Sequence, residues 1–319
     1  MSRNNKTPPS SQSSIRDRNP GMPLDLARIR RFKLSEGEIE GRAEALASVK
    51  FPRGKRAIKA LLKILGSIDL TTLSGDDSVS RVRRLCETAK APLPLPILRA
   101  LSGEAGPRRV AAVCVYPAFV PTALDALKGS GIPVATVSAG FPHGLSALPQ
   151  RIEEVSAARK GGAHEIDIVI RREWALSGNW AALYEEVSAF REAAGASHLK
   201  VILGTGELKT LNQVARAALT SMMAGADFVK TSTGKEKVNA TLPVGLAMVA
   251  AIAHYKKITG SSVGIKPAGG IRTAREGFQW LTMVEEVLGE TATGPNLFRI
   301  GASSLLGDVV GALEKVVAD

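Results

Sequence analysis

The sequence predicts an α/β fold, a (β/α)8 barrel of the TIM-barrel architecture with a helical and disordered N-terminal extension, and three observations carry that prediction. Eight short β-branched runs alternate with longer helix-period segments and no hairpin signals, a pattern that means a parallel sheet covered by helices. No G-x-G-x-x-G fingerprint follows the first run, which removes the main reason to expect a dinucleotide-binding sheet. The chain has 319 residues, and a barrel uses roughly 250 as one domain, so an extension is left over. The expected division is residues 1–57 as extension and 58–319 as barrel.

In chain order, residues 1 to about 23 are rich in Ser, Asn, Pro and Arg and are expected to be flexible, because too few apolar side chains offset the entropy of ordering. Ser35 and Glu38 have capping-box spacing ahead of Ile39, Ala43, Leu46 and Val49, which predicts a short surface helix. A second helix, roughly Lys55 to Leu65, leads into the first strand. The strand runs are Ile68–Thr71, Ala111–Tyr116, Val134–Ala139, Glu165–Ile170, Leu199–Leu203, Phe228–Thr231, Val263–Lys266 and Phe298–Ile300. Ala181–Ala194, Leu211–Ala224 and Leu242–Tyr255 have helical periodicity between them.

The formal charge of +12 and the pI near 9.9 point to anionic partners, either a phosphorylated metabolite or nucleic acid. Nucleic acid is the weaker reading: aromatics make up 4% of the chain, and no basic stripe is interleaved with stacking residues. Cys86 and Cys114 form neither a disulfide framework nor a zinc set, so a reducing cytoplasm is the expected compartment. No stretch is apolar for long enough to cross a bilayer, and the first residues lack a hydrophobic signal core, so no membrane partner is expected. A homodimer is expected as the commonest closed assembly.

Chemistry concentrates at the ends of the later strands. Side chains alternate along a strand, so Asp69 shares a face with Thr71, Asp167 with Glu165, Lys230 with Phe228 and Lys266 with Gly264. If these faces point inward, Asp69, Asp167, Lys230 and Lys266 converge in an interior normally filled by branched apolar layers. A purely structural network of buried ion pairs is the alternative, though such pairs often gain little net stability. Lys230 and Lys266 fall on neighbouring strands about 4.8 Å apart. At that range and an effective dielectric near 20, two ammonium groups repel by about 3 kcal/mol, which favours a neutral amine at one of them. A neutral buried lysine is a nucleophile for carbonyl carbon. Lys200, with plausible inward parity, adds a further positive charge.

Gly269-Gly270 after the seventh strand and Gly301-Ala302-Ser303-Ser304 after the eighth leave backbone amides exposed, and the second opens a helix through Leu305, Leu306, Val309 and Val310. Loops at those two places plus a helix N-terminus are the recurrent phosphate site of this architecture. Thr233-Gly234-Lys235 closes the same anion site from the sixth strand. His143, His164, His198 and His254 lack paired metal-ligand spacing, so neither metal nor cofactor is expected. Nor is there a P-loop or a Ser-His-Asp arrangement.

With these motifs in hand, the chain resembles the deoxyribose-phosphate aldolases, class I aldolases of (β/α)8 fold. The resemblance runs from about Ile68 to Leu306 through Ile68-Asp69-Leu70-Thr71-Thr72-Leu73, Cys114-Val115-Tyr116-Pro117, Phe141-Pro142-His143-Gly144, Glu165-Ile166-Asp167, Thr205-Gly206-Glu207-Leu208, the two lysine motifs and Gly301-Ala302-Ser303-Ser304. It implies that Lys230 forms the Schiff base, that Lys266 perturbs its pKa and that Asp167 takes part in proton transfer. It also implies that Asp69 and Thr71 line the substrate site, where Lys200 and Thr233 are expected to join them, and that Gly234, Lys235, Gly269, Gly270, Gly301, Ser303 and Ser304 hold the phosphate of a small sugar. The implied reaction is reversible cleavage of 2-deoxy-D-ribose 5-phosphate to D-glyceraldehyde 3-phosphate and acetaldehyde, without a cofactor. Some members carry a mobile tail ending in a tyrosine, whereas this sequence closes on Val316-Val317-Ala318-Asp319 and places its tyrosines at 116, 184 and 255. The expectation is therefore either another final proton donor, most simply a water held by Asp167 and Lys266, or a slower proton transfer.

Overall fold

Residues too polar for a core and residues too apolar for a surface sort into concentric layers here. A computed structural model describes residues 18–318. Its strands are β1 (Ile68–Thr71), β2 (Ala112–Val115), β3 (Val134–Ser138), β4 (Glu165–Val169), β5 (His198–Ile202), β6 (Phe228–Lys230), β7 (Gly264–Lys266) and β8 (Ile300–Ala302). Three helices precede them: α1 (Leu26–Arg31), α2 (Glu36–Ala47) and α3 (Gly54–Leu65). Between and after the strands come α4 (Val79–Lys90), α5 (Leu95–Ala100), α6 (Val120–Ala126), α7 (Leu148–Lys160), α8 (Arg172–Ser177), α9 (Trp180–Ala194), α10 (Leu211–Met223), α11 (Leu242–Thr259), α12 (Ala274–Leu288) and α13 (Leu305–Ala318).

All strand pairs are parallel, in the order β7-β6-β5-β4-β3-β2-β1-β8. Parallel bridges Ile265↔Phe298 and Ala268↔Gly301 join the two ends, which closes the barrel. Outward residues such as Leu70, Val113, Ile168, Val201, Val229 and Ile265 are buried under the helices in one continuous core. Such buried parallel strands need apolar residues on the helix-facing side and leave the other side for the interior. Gly264 has a packing role: a Cβ there would lie 2.3 Å from the Phe228 ring, so glycine makes room for that ring inside the barrel.

Seven of the strand runs fall where the sequence places them, within one residue at each end. The eighth is shifted: the strand proper is Ile300–Ala302, and Phe298 makes only a single bridge to β7. Its apolar run is split between closing the barrel and filling the core. Ser35 does precede α2, but its side chain makes no capping bond. Reciprocal capping occurs instead at α12, between Thr273 and Glu276.

The prediction of flexibility for residues 1 to about 23 needs correction over its last part; residues 1–17 lie outside the described residues. Asn19 is buried, and its side-chain amide donates to the carbonyls of Met222 and Ala226 at 2.8 and 2.9 Å. Its backbone N–H donates to Asp227 Oδ1 at 2.8 Å, and Tyr255 Oη donates to its Oδ1 at 3.0 Å. One polar side chain with every group satisfied can pin a segment that composition alone marks as loose.

Candidate active site

Period-two alternation delivers the charged residues to the interior in register. Asp167 pairs with Lys200 across β4 and β5, and Lys230 pairs with Lys266 across β6 and β7. Asp167 sits at the centre of the result. Its Oδ2 accepts from Lys230 Nζ at 2.8 Å and from Lys266 Nζ at 2.7 Å, and its Oδ1 accepts from Lys200 Nζ at 2.8 Å. A lower layer supports it: Lys200 Nζ also lies 2.6 Å from Glu165, and Lys266 Nζ lies 2.5 Å from Asp69. Arg299 completes the network, with one nitrogen 2.6 Å from Asp69 and another 2.8 Å from Glu165.

Seven charged side chains are thus linked: Lys200, Lys230, Lys266 and Arg299 against Asp69, Glu165 and Asp167. All are buried. Four cations face three anions, so the fully protonated network carries one surplus positive charge in a region where isolated charge is costly. The individual groups divide accordingly. Burial first, and then the Lys266 cation, hold the Lys230 amine below the ordinary lysine value, against the pull of Asp167. Lys266 is equally buried, yet Asp167 and Asp69 together hold it above that value. Lys200 is likewise raised over its burial by Asp167 and Glu165. Burial opposes ionisation of Asp167, but Lys200, Lys230 and Lys266 keep it well below the usual carboxylate range. Lys230 is therefore the cation that gives up its proton most readily, and its neutral form balances the network.

Above this network opens a cavity of about 300 Å³. Lys230 stands in its wall with Thr71, Thr233, Gly234, Lys235, Gly269, Gly270, Gly301, Ser303 and Ser304, so ten of the predicted site residues share one space. The positive φ values of Gly234, Gly269 and Gly270, 81°, 80° and 88°, turn the backbone in a way that glycine adopts freely. Ser303 and Ser304 lead into α13, whose first-turn amides are the natural partners of an anion. Asp167 and Lys266 lie directly beneath, bonded to the Lys230 amine or to its partner.

Two predicted placements change. Lys200 and Asp69, expected to line the substrate site, are completely buried in the lower layer and do not reach the cavity wall. They hold Asp167 and Lys266 from below. Sequence reasoning also missed members. Glu165 was visible as sharing a face with Asp167 but had no partner assigned, because its partner Arg299 is 134 residues away. Arg272, which lines the cavity, follows Gly269-Gly270 by two residues, a cation beside a glycine turn that could have been read as part of the anion site. Thr72, Leu73 and Ser74 also line it.

Among the described residues no group of His, Cys, Asp and Glu could hold a metal ion, and no helix is long and apolar enough to cross a membrane. Cys86 and Cys114 are free and buried. With the geometry established, comparison with known proteins is informative. A model described as DeoC/LacD family aldolase matches residues 63–307. The chain is 50% identical over 291 residues to the deoxyribose-phosphate aldolase of Mus musculus, covering 91% of this chain and 92% of that one. It is 49% identical over 293 residues to the deoxyribose-phosphate aldolase of Homo sapiens, with the same coverages of 91% and 92%. A crystal structure of a putative deoxyribose-phosphate aldolase from Coccidioides immitis superposes with a TM-score of 0.62 at 27% identity, covering 86% of this chain and 98% of that one.

Proposed function

The chain belongs to the DeoC/LacD aldolase family, and on that premise we propose that it is a class I aldolase cleaving 2-deoxy-D-ribose 5-phosphate reversibly to D-glyceraldehyde 3-phosphate and acetaldehyde, with Lys230 as nucleophile. The observation that carries the reading is a buried lysine with a lowered pKa in the wall of a cavity whose other side is a glycine-serine anion cradle.

The neutral Lys230 amine attacks the C1 aldehyde of the open-chain sugar, and loss of water gives an iminium ion. That cation draws the electrons of the C2–C3 bond, so the bond breaks without a metal. Asp167, directly or through a water, takes the C3 hydroxyl proton as the bond breaks. The Lys200 and Lys266 ammonium groups keep Asp167 ionised, so it passes that proton on instead of storing it. A water held by Asp167 and Lys266 returns a proton to C2 of the enamine, and hydrolysis frees acetaldehyde and Lys230. Gly234, Lys235, Gly269, Gly270, Gly301, Ser303 and Ser304 hold the phosphate, while Thr71 and Thr233 line the sugar. Binding the phosphate away from the reacting carbons fixes their orientation.

The proposal includes a reducing cytoplasm, which suits two free buried thiols. It also includes a homodimer, no nucleic-acid partner, and residues 1–57 as an extension to a barrel of residues 58–319. Sedimentation reads the assembly. The chemistry is tested by borohydride reduction in the presence of acetaldehyde, followed by peptide mapping. An ethyl group on Lys230 is the expected product, and labelling confined to Lys200 or Lys266 would refute the assignment.

A further inference from the structure

The loop between β6 and α11 carries a carboxylate that belongs to neither the buried network nor the expected anion site. Glu236 Oε1 accepts from the backbone N–H of Thr233 at 2.8 Å and from its hydroxyl at 2.9 Å. Thr233 Oγ1 in turn accepts from the backbone N–H of Lys235 at 3.1 Å. A hydroxyl has one proton to donate, and that of Thr233 is committed to Glu236. Thr233 therefore shapes the Gly234 turn and has no donor left for an anionic ligand.

The main chain of the same residue reaches the second glycine loop. Asn239 Nδ2 donates to the Glu236 backbone carbonyl at 3.0 Å. The Asn239 side chain packs so closely on Gly269 that a Cβ there would lie 2.7 Å away, and Ala240 N donates to the Gly269 carbonyl at 3.3 Å. Behind it the loop is seated on Gly206, where a Cβ would come within 1.8 Å of the Val238 carbonyl. Gly234 and Gly269 both line the cavity. The remaining oxygen, Glu236 Oε2, is buried without a hydrogen-bond partner. An unpaired buried oxygen costs free energy, so this carboxylate is held in the clasp and not placed for its own solvation.

We propose that Glu236 is a positioning residue for the anion subsite: its carboxylate, through Thr233, fixes the Gly234 turn, which the Glu236 backbone carbonyl and Asn239 brace against Gly269–Gly270, in one geometry ready for a sugar phosphate. The inference rests on the reading of the cavity given under Proposed function and deepens it. Its signature is a far larger effect on phosphorylated than on unphosphorylated substrate, since Glu236 bonds Thr233 at the edge of the sugar site but none of Asp167, Lys200 and Lys266 around the Lys230 amine.

The test compares the wild type with Glu236→Ala and Glu236→Gln on 2-deoxyribose 5-phosphate and on unphosphorylated 2-deoxyribose, with borohydride trapping of acetaldehyde on each protein. Glu236→Ala should raise KM for the phosphorylated sugar about tenfold, leave its kcat within about twofold, and lower kcat/KM for 2-deoxyribose by no more than about twofold. Glu236→Gln should behave as wild type, because the amide oxygen still accepts both Thr233 donors. Trapping at Lys230 should be equal in all three. Equal losses on both sugars, reduced trapping in Glu236→Ala, or a Glu236→Gln as impaired as Glu236→Ala would overturn the inference. A wild type that prefers the phosphorylated sugar, with Glu236→Ala keeping that preference, overturns this inference alone. A wild type indifferent to the phosphate overturns the proposed function as well.

Discussion

Two walls of the barrel interior obey the same alternation and are built of opposite materials. From β4 round to β1, the interior carries Glu165, Asp167, Lys200, Lys230, Lys266, Arg299 and Asp69, every one paired. On β2 and β3 it carries Cys114, Ala135 and Val137, which cluster with Leu73 and with the half-buried Tyr116 and Phe141. Register sets the two walls level: Ala135 pairs with Glu165, and Val137 with Asp167. The contrast shows how the site divides its labour. A charged wall can tune an amine because each charge is held by another, while a wall of small side chains leaves space for carbon and adds no charge, since burial pushes the Cys114 thiol pKa up and keeps it neutral. Pairing does the tuning and small size makes the room.

Removing the amine should break the charged wall's function most completely. Lys230→Met keeps the volume but loses the proposed nucleophile, so turnover of 2-deoxyribose 5-phosphate should fall by about a thousandfold or more. Far-ultraviolet circular dichroism and urea midpoint should show a folded protein, because Asp167 keeps two cations and the network is left with three of each sign. Turnover within about tenfold of wild type would move the nucleophile elsewhere.

A smaller effect should follow from changing the neighbour. The proposed reaction needs Lys230 unprotonated, so the rate should rise as pH climbs through a pKa that lies below the ordinary lysine value of 10.5. Lys266→Leu removes a repelling cation and leaves Asp167 to pull more strongly on Lys230; both changes raise that pKa. The pH–rate profile should therefore move toward alkaline pH, with a loss at neutral pH of about tenfold for each pH unit of displacement. Burial remains the larger cause of the lowered value, so the displacement should stop short of an exposed lysine. An unmoved profile would leave burial as the whole cause. That ranking also corrects the sequence reading, in which repulsion between the two lysines carried most of the weight.

Most of the fold and half of the charged wall were legible in the sequence for a physical reason. A charged residue inside an apolar strand run is costly, so Asp69, Asp167, Lys230 and Lys266 stand out against neighbours such as Ile166, Val229 and Ile265. What was not legible depends on which distant residues meet. Arg299 precedes a strand that the sequence placed two residues too early, and its partners lie 230 and 134 residues away, at Asp69 and Glu165. Lys200 had the right parity but the wrong depth, because alternation along a strand says which face a side chain takes and not whether a second layer covers it. Asn19 gave no signal at all: its role depends on meeting Met222, Ala226 and Tyr255 through the packing of α10 and α11.

The apolar wall gives the sharpest contrast, because a change there should alter rate without altering protonation. Ala135 is completely buried and faces the interior beside Cys114 and Val137. Ala135→Leu adds volume to a packed site at a cost of about 1–3 kcal/mol, and part of the added volume goes toward the cavity that Leu73 shares. Turnover should drop several-fold, more for propanal than for acetaldehyde as donor, whereas the pH–rate profile should keep the wild-type position because no charge has moved. Lys266→Leu should do the reverse, displacing the profile and sparing the donor preference. If Ala135→Leu displaced the profile as far as Lys266→Leu does, the apolar wall would have to act on Lys230 through burial, and the two walls would tune the amine together.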